Sequence, residues 1–194
     1  MTPREPLLWR LLARAVSSTP IRWWIIRRAL RAPYTHIGPQ GDVYMGRWWV
    51  FNSYGRDYTP RWLGLPSIRL HSINRPDHAP HLHDHPLRSR AIILRGGYGE
   101  TRYGRRPSGL WWGRGDTYSL RPGIDFHNIY AVGSGGALTL FITWPPRDGE
   151  CTEWGFLVDG EKVGHLEYNR RFGRETDVPG KPLNSFPGES HANS

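Results

Sequence analysis

His81-Leu82-His83-Asp84-His85-Pro86-Leu87-Arg88-Ser89-Arg90-Ala91-Ile92-Ile93-Leu94-Arg95-Gly96-Gly97 decides how the rest of this 194-residue chain is read. Alternate side chains of a strand share a face. An extended segment here projects His81, His83 and His85 together and turns Leu82 and Asp84 away. Two imidazoles two positions apart can reach one cation at about 2.0–2.1 Å from each nitrogen. A third ligand has to come from a distant strand, and His127, inside the β-like run after Pro122-Gly123, is suited to that role. A His-x-His pair is also what exposed loop histidines produce, so the surrounding spacing has to decide between the two.

That surrounding texture is β-like. Short runs at 47–51, 67–73, 90–94, 98–103, 117–120, 126–132, 137–144 and 154–158 read as strands. Between them lie turn residues: Gly96-Gly97, Arg106-Pro107-Ser108-Gly109, Pro122-Gly123, Gly133 to Gly136 and Asp159-Gly160. Many short strands with regular turn signals point to a sandwich or barrel. Twenty-three Gly and 17 Pro are too many for a helical bundle. Ten Trp, nine Tyr and six Phe supply the core area that an apolar content of only 38% would otherwise lack. One domain fits this length.

Upstream, residues 1–33 read as two amphipathic helices. Thr2-Pro3-Arg4-Glu5 has the form of a capping box, and Leu7, Leu8, Leu11, Leu12, Ala15 and Val16 make one apolar stripe. Thr19-Pro20 opens the second helix, which runs through Ile21, Trp24, Ile25 and Leu30 until Pro33 stops it. The stripe is expected to pack on the outside of the barrel with the arginines in water; a basic amphipathic helix bearing tryptophans can instead lie on a membrane surface. The barrel is assigned to 34–168 and a polar tail to 169–194, with no helix-length apolar pattern after Pro33.

Lone Cys151 excludes an intramolecular disulfide and a thiolate zinc cluster. No stretch is long and apolar enough to span a membrane, and Arg10 and Arg14 interrupt the N-terminal apolar run, so no secretory signal is read and a cytoplasmic protein is expected. The formal net charge is +9, nearly all from arginine, Lys162 and Lys181 being the only lysines. That balance suggests an anionic partner, nucleic acid among them; wholesale use of arginine for lysine in GC-rich coding is the alternative.

The spacing around the histidines resembles the cupin superfamily. Its first motif is His-x-His, three or four residues, Glu, six residues, Gly. Here His83-Asp84-His85 is followed by Pro86-Leu87-Arg88, then Ser89 in the place of the acid, then Arg90 to Arg95 and Gly96. The second motif, Gly, five residues, Pro-x-Gly, two residues, His, is met loosely by Gly115, Pro122-Gly123 and His127, with the Gly-to-His distance longer by one residue. Pro and Gly are adjacent, however, and no Asn stands four beyond His127. The resemblance covers roughly 67–144. It implies an all-β double-stranded β-helix (jelly-roll barrel) with the two helices packed outside, and one divalent metal on His83, His85 and His127. Only this register, not one using His81, gives the right distances to Ser89 and Gly96.

With Ser89 replacing the acid, the ligands are three neutral imidazoles with open positions, which favours an anionic substrate. Among cupins this is similar to thiol dioxygenases and related non-haem iron oxygenases, so Fe(II) is the foremost metal and Zn, Ni or Mn fit the same ligands. Ser89 is expected to orient substrate. Asp125 either orients an imidazole or caps the Pro-Gly bend, and His71 lines the barrel or faces solvent. The expected function is a metal-dependent oxygenase using O₂ and a small, anionic substrate. A non-redox isomerase, hydrolase or ligand sensor is the second reading, and an arginine-rich binder of nucleic acid or a membrane surface the third. Cupins often form homodimers.

Overall fold

The computed structural model describes residues 5–32, 36–37, 43–54, 60–103, 109–147, 153–172 and 177–178. Thr2 to Arg4, Cys151 and most of the expected polar tail lie outside them. Two helices come first, α1 (Leu7–Val16) and α2 (Thr19–Ala29). Ten strands follow: β1 (His36–Ile37), β2 (Met45–Phe51), β3 (Ser67–Ile73), β4 (Leu82–His83), β5 (Ser89–Arg102), β6 (Leu110–Gly113), β7 (Thr117–Leu120), β8 (His127–Thr143), β9 (Gly155–Val158) and β10 (Glu161–Gly164). A third helix, α3 (His165–Phe172), and a last short strand, β11 (Asp177–Val178), complete the order. The fold is mostly antiparallel β.

Two long strands organise the sheet. The first half of β5 lies between β7 and the second half of β8, and its second half lies between β6 and the first half of β8. On its other edge β8 pairs with β3 over residues 137–143 and with β4 at His127. One leaf is therefore β2-β3-β8-β5-β7 and the other β6-β5-β8-β4-β9-β10, with β5 and β8 common to both. The chain of pairings among the described residues does not close into a ring.

The glycine pairs expected as turns are where these long strands bend without breaking. Register shifts fall at Ile93/Arg95, Gly96/Tyr98 and Gly99/Glu100, the β-bulges that bend and twist a strand. Gly96 has φ +65°, and a Cβ there would fall on the carbonyl oxygen of Gly136, across the ladder. Only a residue without a side chain permits that approach.

Strand alternation sorts the side chains into two layers. Ile92, Leu94, Leu138, Leu140 and Ile142 join Trp48, Val50 and Leu70 on the outer face, where Ala13 of α1 and Ile25, Ile26 and Ala29 of α2 pack on them. Ala91, Ile93, Tyr98, Tyr118, Ile129 and Phe141 form a second cluster between the leaves. Glu5 precedes α1, whose N-cap is Pro6, and the expected cap Thr2 lies outside the described residues. Glu5 holds Arg90 of β5 at 2.7 Å and accepts the amide of Ser119, so it ties the start of α1 to the sheet. The guanidinium of Arg90 lies over the Trp9 ring.

The α1 stripe is corrected. Trp9, Ala13 and Val16 make the sheet contact, while Leu7, Leu8, Leu11 and Leu12 face outward and are 41–75% exposed. The apolar arc of α1 is wider than one face, and its smallest residue, Ala13, gives the closest approach to the sheet. α3 was not expected at all, and it runs through the expected start of the tail at Asn169. Its apolar residues are too sparse for a pattern, and it is held chiefly by Tyr168, which is buried and stacked on Phe156 with ring centroids 3.6 Å apart.

Candidate metal centre

Register brings the first two histidines together. His83 of β4 and His127 of β8 are direct antiparallel partners, with ring centroids 4.7 Å apart. β4 ends at His83, so the expected three-histidine strand face does not form. His85 lies in the loop before Pro86 and curls back onto the same point, its centroid 5.0 Å from His127 and 5.6 Å from His83. One ring nitrogen from each of the three lies within 4.8 Å of the other two. His81 goes elsewhere: its Nδ1 is 2.9 Å from the Tyr168 hydroxyl, and its ring packs on Tyr168 and Phe172 of α3.

Behind His127 stands a carboxylate that the spacing did not identify. Glu100 of β5 is fully buried, and its Oε1 is 2.6 Å from His127 Nδ1, a close charge contact short of a well-aligned hydrogen bond. Its Oε2 accepts from Arg102 Nε at 3.0 Å and from the Trp112 indole. The position follows from the ladder: Arg102 is opposite His127 and Glu100 opposite Ile129, so Glu100 is the diagonal neighbour of His127 on the inner face. Burial alone would raise the Glu100 carboxyl, but His127, Arg102 and Trp112 outweigh it and hold the group below its ordinary value. The sequence signal was an acid at an inward-facing position of an aromatic strand, two residues from Tyr98 and from Arg102.

The expected ligand neighbours are corrected accordingly. Ser89, in the acid's place by spacing, is buried at the start of β5 opposite Leu120 and Thr143, has no hydroxyl partner among the described residues, and does not line the cavity. Asp125 takes the second of its two expected roles, at the bend. It accepts the amide and Nε of Arg121, both at 2.9 Å, closing the Pro122-Gly123 turn. Asp84 staples three segments, accepting from Gly123 N, Gly155 N and Lys162 Nζ at 2.7–2.8 Å.

The histidines open on a cavity of about 830 Å³ between the leaves, lined by residues of both. Arg47, Arg69 and His71 lie on the β2–β3 side, Tyr98, Tyr118, Ile129 and Phe141 on the floor, and Trp154, Phe156 and His165 near α3. His71 faces inward and stacks on Phe141, its Nε2 buried without a partner among the described residues. Burial and then the charge of His127 bring His83 down to about 4. Burial, then His127, His83 and Arg69, lower His85 well below its ordinary value. His71 is lowered by burial and by Arg69 and Arg47. His83 and His85 are therefore neutral at pH 7, in a cavity whose lining carries Arg47 and Arg69 on the β2–β3 side and Asp77 and Asp84 nearer the histidines.

The donor set fits a metal ion. With Nδ1 of His127 turned to a carboxylate, its proton belongs there and the lone pair is on Nε2, the pattern of a ligating imidazole with an orienting acid behind it. That Nε2 stands 2.8 Å from the Nε2 of His85. Two nitrogens about 2.0–2.1 Å from one ion stand roughly 3 Å apart at right-angle coordination.

No family model matches this chain, and no curated protein does. Solved structures similar to it over part of its length include the DMSP lyase DddQ from Ruegeria pomeroyi, 14% identical over 76% of this chain and 77% of that one, with a TM-score of 0.48. A cupin-2 domain from Rhodospirillum rubrum is 17% identical over 60% and 72%, TM-score 0.43. KdgF from Halomonas sp. is 13% identical over 59% and 97%, TM-score 0.38. No helix among the described residues is long and apolar enough to cross a membrane.

Proposed function

We propose that this chain is a cupin-type metal enzyme acting on a small anionic molecule, with His83, His85 and His127 as ligands, and that it is an oxygenase. The observation that carries the reading is the convergence of three ring nitrogens, one of them oriented by buried Glu100, at the edge of a cavity bearing Arg47 and Arg69. The spacing from His83 to Gly96 supports the family, and the two β leaves around the site support the barrel.

A divalent ion there supplies Lewis acidity and, as Fe(II), the redox chemistry of an oxygenase. The chain's own residues do the rest. Arg47 and Arg69 set a positive potential that draws and aligns an anion. Phe141 and Phe156 exclude water beside the histidines. Glu100 keeps the Nδ1 proton on His127 and supplies a negative charge one layer behind the ligands, so the centre is less cationic than three imidazoles alone would make it.

A second reading, a non-redox lyase or isomerase, is favoured by a phenol pair on the same cavity. Tyr98 and Tyr118 share a 2.6 Å hydrogen bond, and burial followed by the Glu100 charge raises both well above the ordinary phenol value. Both stay protonated, and the phenol that does not donate within the pair can give a hydrogen bond to an oxygen where negative charge develops.

The deciding experiment uses protein purified without added metal, its content measured, and oxygen uptake followed with thiols, dicarbonyls and 2-oxoacids. About one iron per chain with substrate-dependent uptake is the expected result. Zinc with no uptake across the panel overturns the oxygenase reading and leaves the non-redox one.

A further inference from the structure

The outward face of the N-terminal hairpin has no part in the cavity. Leu7, Leu8, Leu11 and Leu12 of α1 and Trp23 and Trp24 of α2 are 41–75% exposed. Both helices are held to the sheet by other residues, Ala13 on α1 and Ile25, Ile26 and Ala29 on α2. Four leucines and two tryptophans in one short hairpin are far more apolar surface than scattered exposed residues explain. Around them Arg10, Arg14, Arg27, Arg28 and Arg31 are all exposed. The only acid in residues 5–32 is Glu5, already engaged by Arg90.

We infer that this face docks on an anionic phospholipid bilayer, leucines and Trp24 entering the headgroup–acyl boundary and arginines meeting lipid phosphates. Charge selects the partner. A second copy would bring the same five exposed arginines against these five with no acid of the hairpin to answer them. Nucleic acid would satisfy the arginines but offers no hydrocarbon to four leucines. A bilayer surface with acidic headgroups does both, since arginine stems lie along apolar surface while the guanidinium stays at the polar layer. Helices of ten and eleven residues lie in such a surface and do not cross it.

The test is flotation of the full chain with vesicles of phosphatidylcholine alone and of phosphatidylcholine with phosphatidylglycerol in equal parts. Wild-type protein is expected to float with the mixed vesicles, to stay behind with the neutral ones, and to be released progressively by salt. Leu8→Ser with Leu11→Ser is expected to weaken partitioning about a hundredfold, and Arg27→Gln with Arg28→Gln about thirtyfold. Both should keep the wild-type circular dichroism and metal content. Should either variant misfold, the lipid and salt dependence of the wild type decides alone. Failure to float with the mixed vesicles, or equal flotation with both kinds, overturns the inference. So does a wild-type dimer in vesicle-free buffer that Leu8→Ser with Leu11→Ser makes monomeric, or duplex DNA binding that the leucine pair also abolishes.

Discussion

Replacing Glu100 by Gln removes one negative charge from a place with no access to water. The carboxylate is fully buried and its partner Arg102 is 5% exposed. Glutamine keeps an oxygen for Arg102 or for the Trp112 indole but leaves the guanidinium without a counter-charge. Breaking a buried pair from one side costs about 3–5 kcal/mol. With the retained hydrogen bond the loss is expected at about 2–4 kcal/mol, or about 5–15 °C in melting temperature for a chain of this length. The same change removes the group that holds the His127 proton on Nδ1, so metal affinity should fall about 10–100-fold. Thermal melts of the chelated protein give the first quantity, and competition with a chromophoric chelator gives the second. Ser89→Ala is the control: its hydroxyl has no partner among the described residues, so stability and affinity should hardly move. Unchanged melting and affinity in Glu100→Gln would refute the role given to Glu100, and lost affinity in Ser89→Ala would give that role to the residue in the acid's place by spacing.

Three further outcomes are expected. In chelated protein the folded His83, at about 4, is depressed from the ordinary 6.5, so the unfolded chain takes up a proton that the folded one refuses. Stability should fall as pH drops from about 6.5 to about 4, by about 3 kcal/mol from this residue, and His83→Gln should flatten that part of the melting-versus-pH curve; identical slopes would contradict the burial assigned to His83. Chelation of the metal-loaded protein should cost about 2.7 kcal/mol when free metal stands at about 100 Kd, read as a melting shift that His127→Ala no longer shows. Gly96→Ala should cost about 2–4 kcal/mol by urea titration, from left-handed φ and collision with the Gly136 carbonyl, whereas Gly123→Ala, with φ +67° and nothing within 4 Å of the added carbon, should cost about 1–2 kcal/mol.

The β texture and the convergence of His83, His85 and His127 were legible because each rests on a short-range rule: alternation along a strand and motif spacing. What escaped depends on register. Glu100 meets His127 only because three bulges set how β5 runs past β8, and no local pattern reports a diagonal neighbour on a strand that pairs through bulges. The glycine pairs look like turns in sequence, since close passage of two strands asks for the same residue. His81 is drawn off by Tyr168 of α3, a helix with almost no apolar period. Amphipathicity on α1 marked an apolar arc without saying which edge of it meets the sheet.

The proposed metal site is tested most directly by anomalous diffraction at the absorption edge of whichever ion elemental analysis finds in the purified protein. A single peak within about 2.0–2.3 Å of one nitrogen each of His83, His85 and His127 is the expected result. A peak elsewhere, or none after soaking with excess metal at pH 7, would contradict a metal centre on these three rings.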